Sequence, residues 1–287
     1  KLFGVSQSCI VVGNGAAELI DQVTASLNGR FGIYGPTFEE YTARFKSVDL
    51  HVPGQEGFRY GKEDVLRLAA DNDGVILINP DNPSGNFISY DDIIEILEVL
   101  KPEGKYLVID ESFLDFADNG FESSVLNQND LNKFPNLIVI KSIGKSYGVG
   151  GLRLGVLASS NVDLVNSIKK SVPIWNINSV AEFYMQIIGK YKSEYRESCD
   201  QLIRARRVLF QGLCGIDYLQ PYESQANYIF CKVVGKKSHQ IASELCSKYS
   251  ILIKDCSGKN SINDQYIRVA VRDAYDNKYL VKSLKSL

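Results

Sequence analysis

Two lysines, five glycines and an arginine are concentrated in Lys141-Ser142-Ile143-Gly144-Lys145-Ser146-Tyr147-Gly148-Val149-Gly150-Gly151-Leu152-Arg153-Leu154-Gly155, between two apolar runs. A lysine held among small residues beside a buried sheet can have a depressed pKa and act as a nucleophilic amine. Taken alone, an exposed loop lysine is the plainer reading. Asp110-Glu111-Ser112-Phe113 closes the apolar run Tyr106-Leu107-Val108-Ile109. A carboxylate there is poorly solvated unless it meets a cation. A helix cap or a metal ligand would account for it, and a partner that carries a proton, such as a pyridinium nitrogen, accounts for it better. In Asn79-Pro80-Asp81-Asn82-Pro83-Ser84-Gly85 two prolines and a glycine stiffen a loop. Such a loop is either a plain turn or a mount from which Asn82 presents its amide to a ligand.

Gly13-Asn14-Gly15-Ala16-Ala17-Glu18 stands between a strand pattern and a helix pattern. Small residues let the backbone approach a ligand, and free N–H groups at a helix start attract a phosphate. The segment is not a full G-x-G-x-x-G and lacks the acidic partner of a dinucleotide site. A tight turn is the alternative. In Tyr266-Ile267-Arg268-Val269-Ala270-Val271-Arg272, alternation puts Arg268, Ala270 and Arg272 on one face. An arginine on a strand is costly unless it meets an anion, and a carboxylate offers a bidentate match.

Periodicity supplies the elements that must position these residues. Short β-rich runs recur at 10–12, 31–34, 48–52, 75–79, 106–110, 137–141 and 153–158, mostly without clean alternation. Continuous apolar strands belong to sheets covered on both faces. Helical patterns lie between several of them, at 15–27, 62–70 and 89–100. In the last, Ser89 is the expected N-cap and Ile93, Ile94, Leu97 and Leu100 the buried face. Strands alternating with helices predict a mostly parallel α/β sheet. After about residue 175 the pattern changes to a long helical stretch over 177–213. A strand (227–233), a helix (238–249), strands at 251–254 and 266–271 and a terminal helix (273–286) follow, which predicts a smaller α+β unit. The expected division is a large domain over 1–190 and a small one over 191–287.

Composition narrows the function classes. The chain has 287 residues, 45% hydrophobic and 23% charged, with a net charge of −2, so nothing marks a nucleic-acid footprint. Its apolar runs end far short of the roughly 20 residues that span a bilayer, so no membrane role is expected. The six cysteines lack C-x-x-C spacing and read as reduced, mostly buried thiols of a cytoplasmic protein. With two distant histidines, His51 and His239, no His/Cys metal site has a ligand set.

Taken together and in order, N-P-x-N-P-x-G, an apolar strand ending in D-E-x-[FY], then S-x-x-K followed by G-L-R-x-G resemble the class I/II aminotransferases of pyridoxal phosphate (PLP) fold type I. The resemblance covers essentially the whole chain. Within the class it is similar to the histidinol-phosphate aminotransferase and threonine-phosphate decarboxylase group. Residues 141–160 with Trp175-Asn176-Ile177-Asn178-Ser179 resemble the aminotransferase portion of proteins fused to a nucleotidyltransferase. The resemblance implies a seven-stranded, mostly parallel sheet covered by helices, PLP as cofactor and a homodimer. It implies that Lys145 holds PLP as a Schiff base and shuttles the substrate proton. Asp110 would pair with the pyridinium nitrogen, Asn82 donate to the phenolic oxygen and Tyr41 stack on the ring. The phosphate would sit on the N–H groups of Ala16 and Ala17, with Ser142 and Arg153 as side-chain partners. Arg268 would clamp the substrate carboxylate, and Trp175, Asn176 and Asn178 would line the pocket.

Three departures from the family pattern bear on these roles. Phe113 stands where many relatives have a tyrosine, and Gly144 where they place a Ser or Thr on the phosphate. The family also has a segment ahead of the Gly13 turn, with an arm and a tyrosine that reaches the neighbouring subunit. The start at Lys1 reads as a fragment, expected to hold PLP weakly. Three activities are weighed: transamination between an amino acid and an oxo acid or aldehyde, decarboxylation of a phospho-amino acid, and a PLP-binding regulatory module without turnover. The third needs a DNA-binding segment, and the sequence has no basic helix-turn-helix.

Overall fold

A computed structural model describes residues 2–54, 57–259 and 265–287. Among these residues the first sheet has seven strands: β1 (Ile10–Asn14), β2 (Phe31–Tyr34), β3 (Val48–His51), β4 (Gly74–Ile78), β5 (Tyr106–Asp110), β6 (Leu137–Ser142) and β7 (Leu154–Ala158). Their order is β1-β7-β6-β5-β4-β2-β3. The pairs from β3 to β6 are parallel, whereas β7 runs antiparallel to both β6 and β1. The helices are α1 (Ala16–Ser26), α2 (Glu39–Arg44), α3 (Lys62–Ala70), α4 (Tyr90–Leu100), α5 (Gln128–Lys133), α6 (Ile143–Ser146), α7 (Val162–Ser171), α8 (Ser179–Ile187), α9 (Lys192–Cys214), α10 (Ser238–Tyr249) and α11 (Ala274–Lys285). A second, antiparallel sheet joins β8 (Leu219–Pro221), β9 (Tyr228–Val233), β10 (Lys254–Asp255) and β11 (Tyr266–Ala270) in the order β10-β11-β9-β8.

The lack of alternation in the first-sheet strands has a direct cause. Leu107 and Ile109 enter one apolar core with α3, α4 and α5, while Val108 enters the opposite one with α1 and α7. Both faces are covered, so β4, β5 and β6 read as continuous apolar runs up to their carboxyl ends. On one face of the second sheet Ile229, Cys231, Ile267 and Val269 meet Leu209 and Leu213 of α9 and residues of α10 and α11, while on the other Phe230 and Tyr266 pack with Phe58 and Tyr222.

Ser89 caps α4 as expected, accepting from the Asp92 N–H. The buried face of α4 is Ile93, Ile96, Leu97 and Leu100; Ile94 is only half-buried, a correction of one position. The stretch 177–213 is two α-helices, because a 3-10 turn over Ile188–Tyr191 interrupts it. The strand expected at 251–254 begins only at Lys254. Ile251 N–H closes the end of α10 on the Leu245 carbonyl, and Leu252 points outward. Helices α2 and α5 and strand β8 are short, and they and α7 lie outside the elements that the periodicity predicts.

Candidate active site

The carboxyl ends of β4, β5 and β6 lie side by side, the place where open α/β sheets bind ligands. β5 delivers Asp110, and the turn after β6 becomes α6, which carries Lys145. The rigid 79–86 loop after β4 delivers Asn82. Asn79 fixes that loop by bonding Ile88 twice, through its carbonyl oxygen and its amide. β11 of the second sheet brings Arg268 from across the molecule, where its Nη1 donates to Asn82 Oδ1. That bond spends the Asn82 oxygen, and its amide nitrogen has no hydrogen bond among the described residues. Phe38, Asn82, Phe113, Lys145, Lys259 and Arg268 line a cavity of about 380 Å³.

Lys145 Nζ lies between two aromatic faces, 4.7 Å from the Phe38 ring centroid and 4.9 Å from that of Phe113. Burial pulls its ammonium below the ordinary lysine value, and Arg268 and Arg153 add to this against the pull of Asp110. A buried amine of lowered basicity is the form a nucleophile needs. Lys141 is the opposite case. Its Nζ is buried in an ion pair with Asp115 Oδ1 at 2.5 Å, so its amine is committed. Asp110 is 3% exposed and accepts from the Tyr41 hydroxyl at 2.9 Å and the Ser112 N–H at 2.8 Å.

The start of α1 has the features of an anion cradle. Gly15 takes φ +84° and caps the helix without a side-chain bond, so the Ala16 and Ala17 N–H groups are not capped by a side chain. A Cβ on Gly15 would stand 2.6 Å from Arg153 Nη2, and one on Gly155 2.5 Å from the Ala16 nitrogen. The guanidinium therefore lies over the helix start with room kept open by two glycines. Ser142 is buried at the base of α6, its N–H bonded to Ser112 Oγ. This donor set fits a phosphorylated, planar, cationic ring: cradle at one end, Asp110 at the other, Lys145 and aromatic faces between. A Cβ on Gly144 would come 3.2 Å from Gly150 Cα, a tight contact to which the neighbouring turn would have to yield.

Two expected roles are corrected. Tyr41 is fully buried, and its hydroxyl is spent on Asp110, so it has no face to offer a ring. Phe38, three residues earlier and lining the cavity, offers one. Trp175 is 94% exposed at φ +57° and is not part of the cavity wall. Asn176 and Asn178 are structural. Asn176 bonds Glu18 and the Val12 carbonyl, and Asn178 caps α8 and bonds the Leu152 carbonyl. Arg272 faces away from the site and pairs with Asp276.

Below Asp110, Glu111 is wholly buried and accepts from Ser124 and the Val125 N–H. Burial pushes its carboxyl up to about 7, against the pull of Lys141. A carboxyl raised in the folded state holds a proton that the unfolded chain releases, so stability falls as pH rises from the ordinary carboxylate range toward 7. Thermal unfolding of Glu111→Gln at pH 5 and pH 8 checks this. The variant should gain on the wild type at the higher pH, and a constant difference would refute it.

The family model "Aminotransferase class I and II" matches residues 1–284. The CMP-5'-(3-aminopropyl)phosphonate synthase of Streptomyces rubellomurinus is 30% identical over 97% of this chain and 44% of its own length. The chain thus spans less than half of that relative. An L-serine phosphate decarboxylase of Campylobacter jejuni is 30% identical over 98% of this chain and 74% of its own. The crystal structure of the histidinol-phosphate aminotransferase from Clostridium acetobutylicum superposes with a TM-score of 0.87 at 27% identity, covering 96% of this chain and 83% of that one. Sheet order, site and matches define a PLP-fold protein, and the chain belongs to the class I and II aminotransferase family, whose cofactor is PLP.

Proposed function

We propose that the chain carries a PLP-dependent aminotransferase activity, moving an amino group between an amino acid and an oxo acid or aldehyde. The observation that carries it is the placing of Arg268 and Asn82 across one cavity from the buried amine of Lys145, whose basicity burial lowers. Bound PLP supplies a ring that accepts the electron pair of a bond broken at the substrate Cα. Asp110 would hold the ring nitrogen cationic, and Phe38 would offer its face to the ring. Arg268 would bind the substrate carboxylate, which would leave the substrate Cα in the cavity that Lys145 Nζ also lines. Lys145 would then take the Cα proton.

Arg268→Ala should raise KM for amino-acid donors by roughly 10- to 100-fold, the worth of a charge-assisted pair. Amines without a carboxylate should be unaffected, and equal losses for both would remove Arg268 from recognition. A donor and acceptor screen read for keto product tests the reaction class. Decarboxylation is the second reading, favoured by Phe113, which brings no hydroxyl to the wall beside Lys145. Carbon dioxide from a phospho-amino acid without keto product would establish it instead.

We further infer a homodimer in the cytoplasm, with domains over 1–190 and 191–287. Ile174, Trp175 and Phe183 are exposed at 85%, 94% and 60%, an apolar set that a second subunit would cover. All six cysteines are free, which supports a reducing compartment. The second sheet with α10 and α11 follows residue 191, and α9 bridges the two parts.

A further inference from the structure

Beneath the Lys145 turn lies a buried polar cluster that the proposed reaction does not use. Asp115 sits in the 3-10 turn after the Asp110 loop, 4% exposed. Its Oδ1 pairs with Lys141 of β6, and its Oδ2 accepts from the Tyr195 hydroxyl of α9 at 2.6 Å. The same hydroxyl reaches the Ser146 carbonyl at 3.0 Å. Ser146 is the residue after Lys145, and its own hydroxyl donates to the Ser112 carbonyl at 3.3 Å. The Tyr195 ring stacks on Tyr147 at 4.0 Å and meets the edge of Phe121. The short helix that carries Lys145 is thus gripped by α9 at the next two residues.

The other end of α9 serves the opposite wall of the cavity. Leu209 and Leu213 share the core of Ile267 and Val269, the neighbours of Arg268 on β11. One helix therefore touches both the turn that bears the amine and the sheet that bears the guanidinium. We propose that Tyr195 is a positioning residue for Lys145: its single hydroxyl proton, shared between Asp115 Oδ2 and the Ser146 carbonyl, ties the Lys145 turn to α9 and keeps Lys145 Nζ in register with Arg268. The proposal rests on the reading of Lys145 as the working amine.

The choice of variant matters. Asp115→Asn would leave the Lys141 ammonium buried and unpaired, which endangers the fold. Tyr195→Phe keeps the ring stack on Tyr147 and removes only the hydroxyl. Two measurements follow, with thermal unfolding as a check that the variant is folded. In the protein without cofactor, acetic anhydride labelling of Lys145 is followed by peptide mass spectrometry, with the exposed Lys190 as internal reference. Labelling of Lys145 should become several-fold faster as its turn is released. In the PLP-loaded protein, kcat should fall about tenfold while KM for the amino donor stays within about twofold, the pattern of a misplaced rather than a lost group. Unchanged labelling overturns the proposal, whatever happens to kcat, and so does an unchanged kcat. A loss confined to KM overturns it too. Because labelling needs neither cofactor nor substrate, it reports on Tyr195 even if the reaction class is wrong.

Discussion

Lys145→Ala, mixed with PLP, is expected to lack the visible absorbance of the wild-type protein and to lose turnover by roughly four orders of magnitude, the upper range for a positioned acid–base group. The expectation rests on the environment of this amine and not only on its residue type. Nζ faces two aromatic rings and the cavity, burial lowers its basicity, and no carboxylate pairs with it among the described residues. The remaining candidate nearby, Lys141, cannot substitute. Burial works against its charge, but Asp115 and Glu111 outweigh burial and raise its pKa, which keeps the amine protonated. Absorbance spectra and single-turnover rates of Lys145→Ala and Lys145→Arg decide the matter. Retained absorbance with retained turnover would sink the assignment. Loss of both in Lys141→Ala, with Lys145→Ala active, would reverse it.

The parts of the site that were legible in the sequence are those set by short-range chemistry. Asp110 and Lys145 follow apolar strands of a sheet read as mostly parallel, which places both at one edge, although from the residues alone Lys145 reads as an exposed loop lysine and its role came from the resemblance. Asn82 was legible because its loop is stiffened by prolines, and Arg268 because a charge on a strand asks for an anion. What was not legible depends on tertiary burial. Phe38 and Tyr41 are both aromatic, three residues apart at the start of α2, and nothing local says which one the core absorbs. Burial of Tyr41 under Asp110 settles it. The Tyr195 cluster was illegible for a related reason: its members come from β6, a 3-10 turn and α9, and their pairing exists only after those elements pack. Trp175 was misplaced because an apolar residue near a site signals burial without saying against what.

Asp110 carries the second large effect, and the substitution has to be chosen so that charge and shape are separated. Asp110→Ala would remove the charge and also orphan the Tyr41 hydroxyl and the Ser112 N–H, both buried. Leaving buried donors unmet costs roughly 1–3 kcal/mol each, so a loss of activity could be a loss of fold. Asp110→Asn keeps one acceptor oxygen, for the Ser112 N–H, and turns its NH2 toward the Tyr41 hydroxyl, which can accept instead, so the charge goes with the least loss of bonding. A cationic ring nitrogen facing a neutral amide loses the partner that keeps its proton, and with it the electron sink. At about 1.4 kcal/mol per decade of rate, losing a buried charge pair worth roughly 3–5 kcal/mol corresponds to about a hundred- to a few-thousandfold in kcat. Asp110→Asn should therefore fall by that much at saturating PLP with little change in thermal stability, and Asp110→Glu should retain part of the rate. Lys145 should still be modified by PLP in both, because its amine reaches the cavity without help from Asp110. If Asp110→Asn turns over at nearly the wild-type rate, the carboxylate serves only Tyr41 and Ser112. The ring nitrogen must then find its counter-charge elsewhere on this edge of the sheet.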